Sequence, residues 1–340
     1  MRFSNSITDV PGILVGHADD PIALTGCTVI ICEKGAVAGV DQRGGAPGTR
    51  ETDALRPMHL VQNIHAVLLS GGSAFGLDAA AGVMVHLEKK GIGVDTGVAR
   101  VPIVGAAVIF DLAVGNPSIR PTPEMAALAC ANASANPPAT GNVGVGMGAT
   151  VGKALGMQYC MKGGVGSASV HLNGGVVVGA IMAVNPYGDV IDPQTRTIIA
   201  GTRTMEKGPL RIGRGGYFAD TMSVMETIAE KNPLRLFSTH NTVIGVVATN
   251  AKLSKNEASK IAQMAQNGIA MAIRPAHTMF DGDTIFCMST GSKKTDVNLI
   301  GACAAEVVAR AIVDAVRSAH SLPGIPAFDD VSNGDLQPHE

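Results

Sequence analysis

The sequence predicts a layered α+β protein, and three observations carry that prediction. Of its 340 residues, 46% are hydrophobic and 16% charged, so much of the chain is expected to be buried. Its apolar mass is small-sided: there are 42 glycines, aromatics make up 3%, and Trp is absent. Small side chains let sheets and helices approach closely. Third, the elements follow one another as strand pairs and long helices, without a regular strand–helix alternation. That order favours a sandwich over a doubly wound parallel sheet. No internal repeat is present, and residues 1–340 are read as one domain.

The first 70 residues read as strands, with "CTVIICEKGAVAGVDQRGGAP" alternating apolar runs and Gly turns. "AVLLSGGSAFGLDAAAGVMVHLEKKG" follows as strand, Gly-rich loop and helix, with Ser73 expected to cap the helix and Gly91 to stop it. "VPIVGAAVIFDL" is a buried strand, and a helix is expected over Pro123–Ala135. Residues 132–152 are rich in Gly, Asn and Pro and read as an irregular loop. "GVVVGAIMAVNPYGDVID" is a long buried strand ending in an Asn-Pro turn. From Gly201 the chain turns polar and basic, and an exposed connecting excursion with a weak helix at Thr221–Glu230 is expected up to about residue 241. Thr242–Thr249 is a strand. Ser254 and Glu257 form a capping box for a helix reaching about Ile273. A turn and strand, "DGDTIFCMSTG", precede a long helix over Val297–Ala319.

Composition narrows the function. Lys plus Arg total 26 against 28 Asp plus Glu, a formal charge of -2, and no basic stripe or stacking aromatics suit a nucleic acid. The six cysteines form no C-x-x-C pair and sit among Ala, Val and Met, as buried thiols of a reducing compartment do. The N-terminus has no apolar leader core, and no run of about 18 apolar residues reads as a membrane span. A cytoplasmic location is expected. The His residues form no zinc motif.

Gly-rich stretches invite phosphate, dinucleotide or nucleophile-elbow readings, and each reading fails in detail. "GVGMGATVGKA" lacks the P-loop spacing and the Ser or Thr after Lys153. "SGGSAFG" has Phe75 where G-x-S-x-G needs its last Gly. A dinucleotide fold would need a βαβ unit with a following acid. Such loops can still present N–H groups to an anion or oxyanion. In "MFDGDTIF", Asp281 and Asp283 flank Gly282. On the residues alone they read as the solvated acids of a tight turn, since Ile285 and Cys287 break a calcium-loop series.

Thr242 leaves two readings open. It is a β-branched residue opening the apolar run Val243–Ala248, which strand propensity explains. It is also a hydroxyl that could act as a nucleophile if it became a chain start, since its own α-amine, with a pKa near 7.7–8, would then be its base. Attack of the Thr242 Oγ on the Asn241 carbonyl would turn that peptide into an ester, and water would release residues 1–241 and 242–340.

The stretches "ITDVPGILVGH", "VDQRGGAPGTRETDAL", "LSGGSAFGLDAAAGV", "GATVGK", "VNPYGDV" and "HNTVIGVVATNAKLS" with "HTMFDGDTIF" run in order along the chain. Over essentially its full length the sequence resembles the self-cleaving family of L-aminopeptidase/D-esterases, β-peptidyl aminopeptidases and nylon-oligomer hydrolases. Ornithine acetyltransferases share the fold, but these stretches resemble the hydrolase branch.

The resemblance implies a four-layer αββα sandwich of the N-terminal-nucleophile type and an amide hydrolase of the nylon-oligomer kind. Aminopeptidase action on amino-acid amides or β-peptides is the alternative, and acyl transfer or an uncut, inert scaffold the remote ones. It implies that Thr242 is the nucleophile and Asn241 the residue whose carbonyl is cut. Lys153 and Asn185 match site residues near the nucleophile, and Asp281 and Asp283 match two acids of the nylon-hydrolase branch. Where many members carry Tyr in a strand "AVIYDF", this chain has Phe110, which has no phenolic hydroxyl. A role of that hydroxyl would pass to Asn185, Lys153 or backbone N–H groups, or be lost. Phe110, Ser73 and Gly72 are the candidate pocket residues. The resemblance implies no metal or organic cofactor, a small amide or short peptide as substrate, and a homo-oligomer, commonly a tetramer.

Overall fold

The computed structural model describes residues 1–205, 216–231 and 241–331. Its first half holds β1 (Arg2–Ser4), β2 (Leu14–Asp20), β3 (Thr25–Gln42), β4 (Thr49–Arg50), β5 (Asn63–Ser70), α1 (Ala80–Lys89), β6 (Val94–Asp95), β7 (Arg100–Val101), β8 (Val104–Val108) and α2 (Pro123–Ala131). Next come β9 (Thr150–Val151), β10 (Met161–Lys162), β11 (Gly164–His171), β12 (Val177–Asn185), β13 (Asp189–Asp192), β14 (Thr197–Ala200) and α3 (Thr221–Lys231). The last part holds β15 (Thr242–Ala251), α4 (Lys255–Ala272), β16 (Ile273–Arg274), β17 (Thr284–Lys293) and α5 (Val297–Arg317).

The main sheet runs β1–β11–β12–β15–β17–β3–β5–β8–β4, with β2 beside β3. Alternation along its strands sorts side chains into layers. On β12 and β15, Ala180, Met182, Val184, Val243 and Val247 face α4 and α5, sharing a core with Ala262, Ile269, Val307 and Ile312. The intervening Ile181, Ala183, Ile244, Val246 and Ala248 meet Ile30, Val67, Leu69 and Ile109 from the β3–β5–β8 half. The opposite face of that half, with Val29, Leu68 and Ala106, packs on α1 and α2. Helices, two facing halves of sheet and helices again make the αββα sandwich. The two halves join where β17 pairs with β3.

Several glycines fit the close layers. A Cβ on Gly166 would lie 2.2 Å from the α5 backbone at Ala311 and Ala315, and one on Gly39 would lie 2.2 Å from α4 at Ser259. The Ser254–Glu257 capping box forms as read from sequence, and Asp296 caps α5. All six cysteines are buried free thiols. No described helix is long and apolar enough to cross a membrane.

Three expectations change. Ser73 does not cap α1: Gly72 and Ser73 are both left-handed (φ 80° and 54°), so the chain enters through a 3-10 stretch, Ser73–Ala79, with no side-chain cap. α2 ends at Ala131 rather than Ala135. The excursion after Gly201 is not simply exposed. Thr202, Phe218, Ala219, Thr221 and Val224 are buried. Buried Asp189 accepts from the N–H groups of Thr202 (2.8 Å) and Thr221 (2.6 Å) and so pins the start of the excursion and the first residue of α3. Residues 206–215 and 232–240 of that excursion lie outside the described residues.

Candidate active site

Strand pairing brings the candidate residues together. In the antiparallel β12–β15 ladder the last residue of β12, Asn185, faces the first residue of β15, Thr242. β17 lies parallel to β15 on the other side, and the turn that feeds it carries Asp281, Gly282 and Asp283. Here the chain forms a parallel bridge. The Asn241 N–H donates to the Phe280 carbonyl, and the Gly282 N–H donates to the Asn241 carbonyl, each at 2.9 Å. The Thr242 hydroxyl lies against that same Asn241 carbonyl. One residue on, the Val243 N–H donates to Asp283 Oδ1 at 2.8 Å. The 241–242 peptide is thus gripped on both sides, and its carbonyl is polarised by a fixed N–H.

Both acids are buried, which corrects the solvated-turn reading. Asp281 accepts from the N–H groups of Tyr187 (3.2 Å) and Thr278 (3.0 Å) and from the Thr278 hydroxyl (2.5 Å), and so shapes the turn. Burial, and then the neighbouring Asp283, push its pKa up to about 6. Asp283 Oδ2 also meets His277 Nδ1 at 2.8 Å.

Asn185 is fully buried and its orientation is set by three donors. Its Oδ1 accepts from the Thr150 N–H (3.0 Å), the Thr150 hydroxyl (3.3 Å) and Lys153 Nζ (2.9 Å). The amide nitrogen is thereby turned toward Phe110, whose carbonyl accepts one of its N–H groups at 3.1 Å. Lys153 Nζ also donates to the Asn185 carbonyl at 3.0 Å. Burial lowers the Lys153 pKa to about 7.

A cavity of about 260 Å³ opens beside Thr242, lined by Ala46, Pro47, Gly48, Ser73, Ala74, Val108, Ile109 and Phe110. Two of the three candidate pocket residues, Phe110 and Ser73, do line it. Gly72 does not; its N–H is occupied behind the wall, donating to Asp111 Oδ1 at 2.7 Å. Asp111, buried and also accepting from Thr25, is therefore the anion that the Gly-rich SGGSAFG loop binds. Likewise Gly144 of the second Gly-rich loop donates to Asp19 at 2.7 Å. Among the described residues no three His, Cys, Asp or Glu side chains gather as metal ligands.

This geometry has a family. The sequence matches the profile of peptidase family S58 over residues 5–327. The chain belongs to peptidase family S58. An uncharacterized aminopeptidase of Mycobacterium tuberculosis is 44% identical over 360 residues, covering 97% of this chain and 98% of its own. A 6-aminohexanoate-oligomer endohydrolase of a Kocuria species is 30% identical over 322 residues, covering 91% and 85%. Among solved structures, the L-aminopeptidase D-Ala-esterase/amidase of Ochrobactrum anthropi superposes with a TM-score of 0.66 at 20% identity, covering 95% of this chain and 89% of that one. That protein is described as a variant of the Ntn-hydrolase fold, and the likeness shows the fold. This S58 chain is accordingly a peptidase or amidohydrolase with the N-terminal-nucleophile sandwich.

Sequence reasoning missed several residues that build the site. Thr150 stands in the same "GATVGK" stretch as Lys153, and its spacing from Lys153 could have flagged it. Gly282 and Tyr187 act through their backbone N–H groups, for which no side-chain pattern signals, while Thr278 holds Asp281 by both its N–H and its hydroxyl.

Proposed function

We propose that the chain cuts itself between Asn241 and Thr242, and that Thr242, freed as a chain start, is the nucleophile of an amide hydrolase. The observation that carries this reading is the Thr242 hydroxyl set against a carbonyl already held by the Gly282 N–H, with Thr242 lining an open cavity. Attack of Oγ on the Asn241 carbonyl carbon breaks the peptide C–N bond and passes the proton to the departing nitrogen. The resulting ester takes up water and leaves an Asn241 carboxylate, a Thr242 hydroxyl and a free amine. The amine emerges next to the Val243 N–H that Asp283 already accepts, so Asp281 and Asp283 are proposed to hold it.

In turnover, the Thr242 amine takes the hydroxyl proton as Oγ attacks the substrate carbonyl. The second amide N–H of Asn185, with backbone N–H groups, stabilises the tetrahedral oxyanion. Lys153 holds Asn185 in that orientation and adjusts the local charge. Water then cleaves the acyl-enzyme. Loss of the phenol at Phe110 leaves the oxyanion to these donors.

The cavity wall, Gly, Ala, Pro, Val, Ile and Phe beside the hydroxyls of Ser73 and Thr242, suits an uncharged methylene chain. We therefore favour linear amides such as 6-aminohexanoate oligomers. The alternative, an aminopeptidase, is favoured by the name of the Mycobacterium tuberculosis relative. We further propose a cytoplasmic homo-oligomer, a tetramer of cut protomers. Hydrolysis of a 6-aminohexanoate oligomer is expected to exceed that of β-alanyl and D-alanyl amides, measured as kcat/KM. The reverse order would favour the aminopeptidase.

The pH dependence follows from Asp281. Below about pH 6 it takes a proton and loses acceptor capacity for the turn that presents Gly282. Self-cleavage is expected to fall through that range, and the limb to move in Asp281→Asn. The stability term has its own sign. The folded carboxyl binds its proton more tightly than an ordinary aspartate, whose pKa is 3.8, so raising the pH from 3.8 to about 6 removes stability. Loss of activity in acid with the fold still intact distinguishes the two in parallel circular-dichroism and rate profiles.

A further inference from the structure

Lys162 is a buried cation that the mechanism above does not use. Its side chain is completely buried, and its Nζ donates to three backbone carbonyls: Gly146 at 2.7 Å, Ala149 at 2.9 Å and Gly163 at 2.9 Å. These satisfy all three N–H groups of an ammonium. Among the described residues no carboxylate forms an ion pair with it. Burying a charge is costly, and a long apolar side chain would fill the same space without that cost. What the ammonium adds is convergence. Three carbonyl dipoles that would repel one another are drawn to one point.

The place of that point in the fold gives it a use. Lys162 pairs directly with Thr150 in the short β9–β10 ladder. Gly146 and Ala149, whose carbonyls it gathers, belong to the Gly-rich turn that ends in Thr150. Thr150 in turn donates both its N–H and its hydroxyl to Asn185 Oδ1. The turn opens with a short 3-10 segment, Gly144–Gly146, and no long helix or strand runs through it, so the three bonds from the ammonium add to its few backbone ties. Burial lowers the Lys162 pKa to about 7, with Lys153 opposing its charge and Asp111 and Cys160 favouring it.

We propose that Lys162 is a positioning residue whose ammonium does the work of a bound monovalent cation, fixing the Gly146–Ala149 turn so that Thr150 orients Asn185. This rests on the reading of Asn185 and Thr242 as the working pair. Lys162→Met keeps the length and removes the charge, and Lys162→Gln keeps a donor. Lys162→Met is expected to fold, to cut itself and turn over a 6-aminohexanoate oligomer about 100-fold more slowly, the scale of an ångström-level misplacement, and to lower kcat with KM within about twofold. Lys162→Gln is expected to fall between it and the parent. The Thr150 amide should lose hydrogen-exchange protection in Lys162→Met while the β12 and β15 amides keep theirs. Parental rates in Lys162→Met would overturn the proposal, as would a rise in KM alone. So would failure of both variants to fold, which would make Lys162 a global support. If the parent itself stays uncut and inactive, the self-cleavage reading falls. The Thr150 exchange, which needs no activity, still decides the role of Lys162.

Discussion

Thr242→Ala is expected to leave a single uncut chain that folds normally and has lost hydrolysis by a factor on the order of 10⁴ to 10⁶ in kcat, the scale of removing a nucleophile. In the proposed scheme two functions rest on one oxygen, because the hydroxyl that lies against the Asn241 carbonyl is also the proposed nucleophile toward substrate. The fold should survive. Thr242 opens β15, and the strand's anchors, Val243 to Ala248, are untouched and buried. Intact mass and a thermal melt, read beside the rate, separate loss of chemistry from loss of structure. Thr242→Ser, which keeps a hydroxyl, is expected to retain cleavage and measurable turnover.

Asn185→Asp is expected to reduce kcat by about 10²–10³ with little change in KM, the scale of removing one oxyanion donor. The substitution keeps an oxygen for Thr150 and Lys153 and puts an acceptor-only oxygen in place of the amide nitrogen that donates to the Phe110 carbonyl. A carboxylate there would also meet the Lys153 ammonium and raise its pKa, so any limb of the pH–rate profile that follows Lys153 should move to higher pH. A rise in KM with kcat unchanged would place Asn185 in substrate binding instead.

Much of this was legible in the residues. The apolar β-branched run after Thr242 and the Ser254–Glu257 capping box are local signals, and β15 and α4 form as those signals dictate. Ser73 misleads because capping depends on backbone dihedrals, and two successive left-handed residues take the chain into a 3-10 stretch first. Asp281 and Asp283 look like solvated turn acids, because sequence does not show that β15 and the Tyr187 segment close over them. The assignments of Asn185 and Lys153 came from the family resemblance, and the ladder register that sets Asn185 opposite Thr242 is a long-range property. Lys162 gave no signal at all. Its partners are backbone carbonyls, which any sequence supplies.

Whether this S58 chain makes its own nucleophile by self-cleavage is decided by intact-mass measurement of the purified parent protein under denaturing conditions. Two polypeptides are expected, residues 1–241 and 242–340, with Thr242 as the new N-terminus and neither fragment formed in Thr242→Ala. A single uncut chain with full amide-hydrolase activity would contradict self-cleavage as the source of the nucleophile.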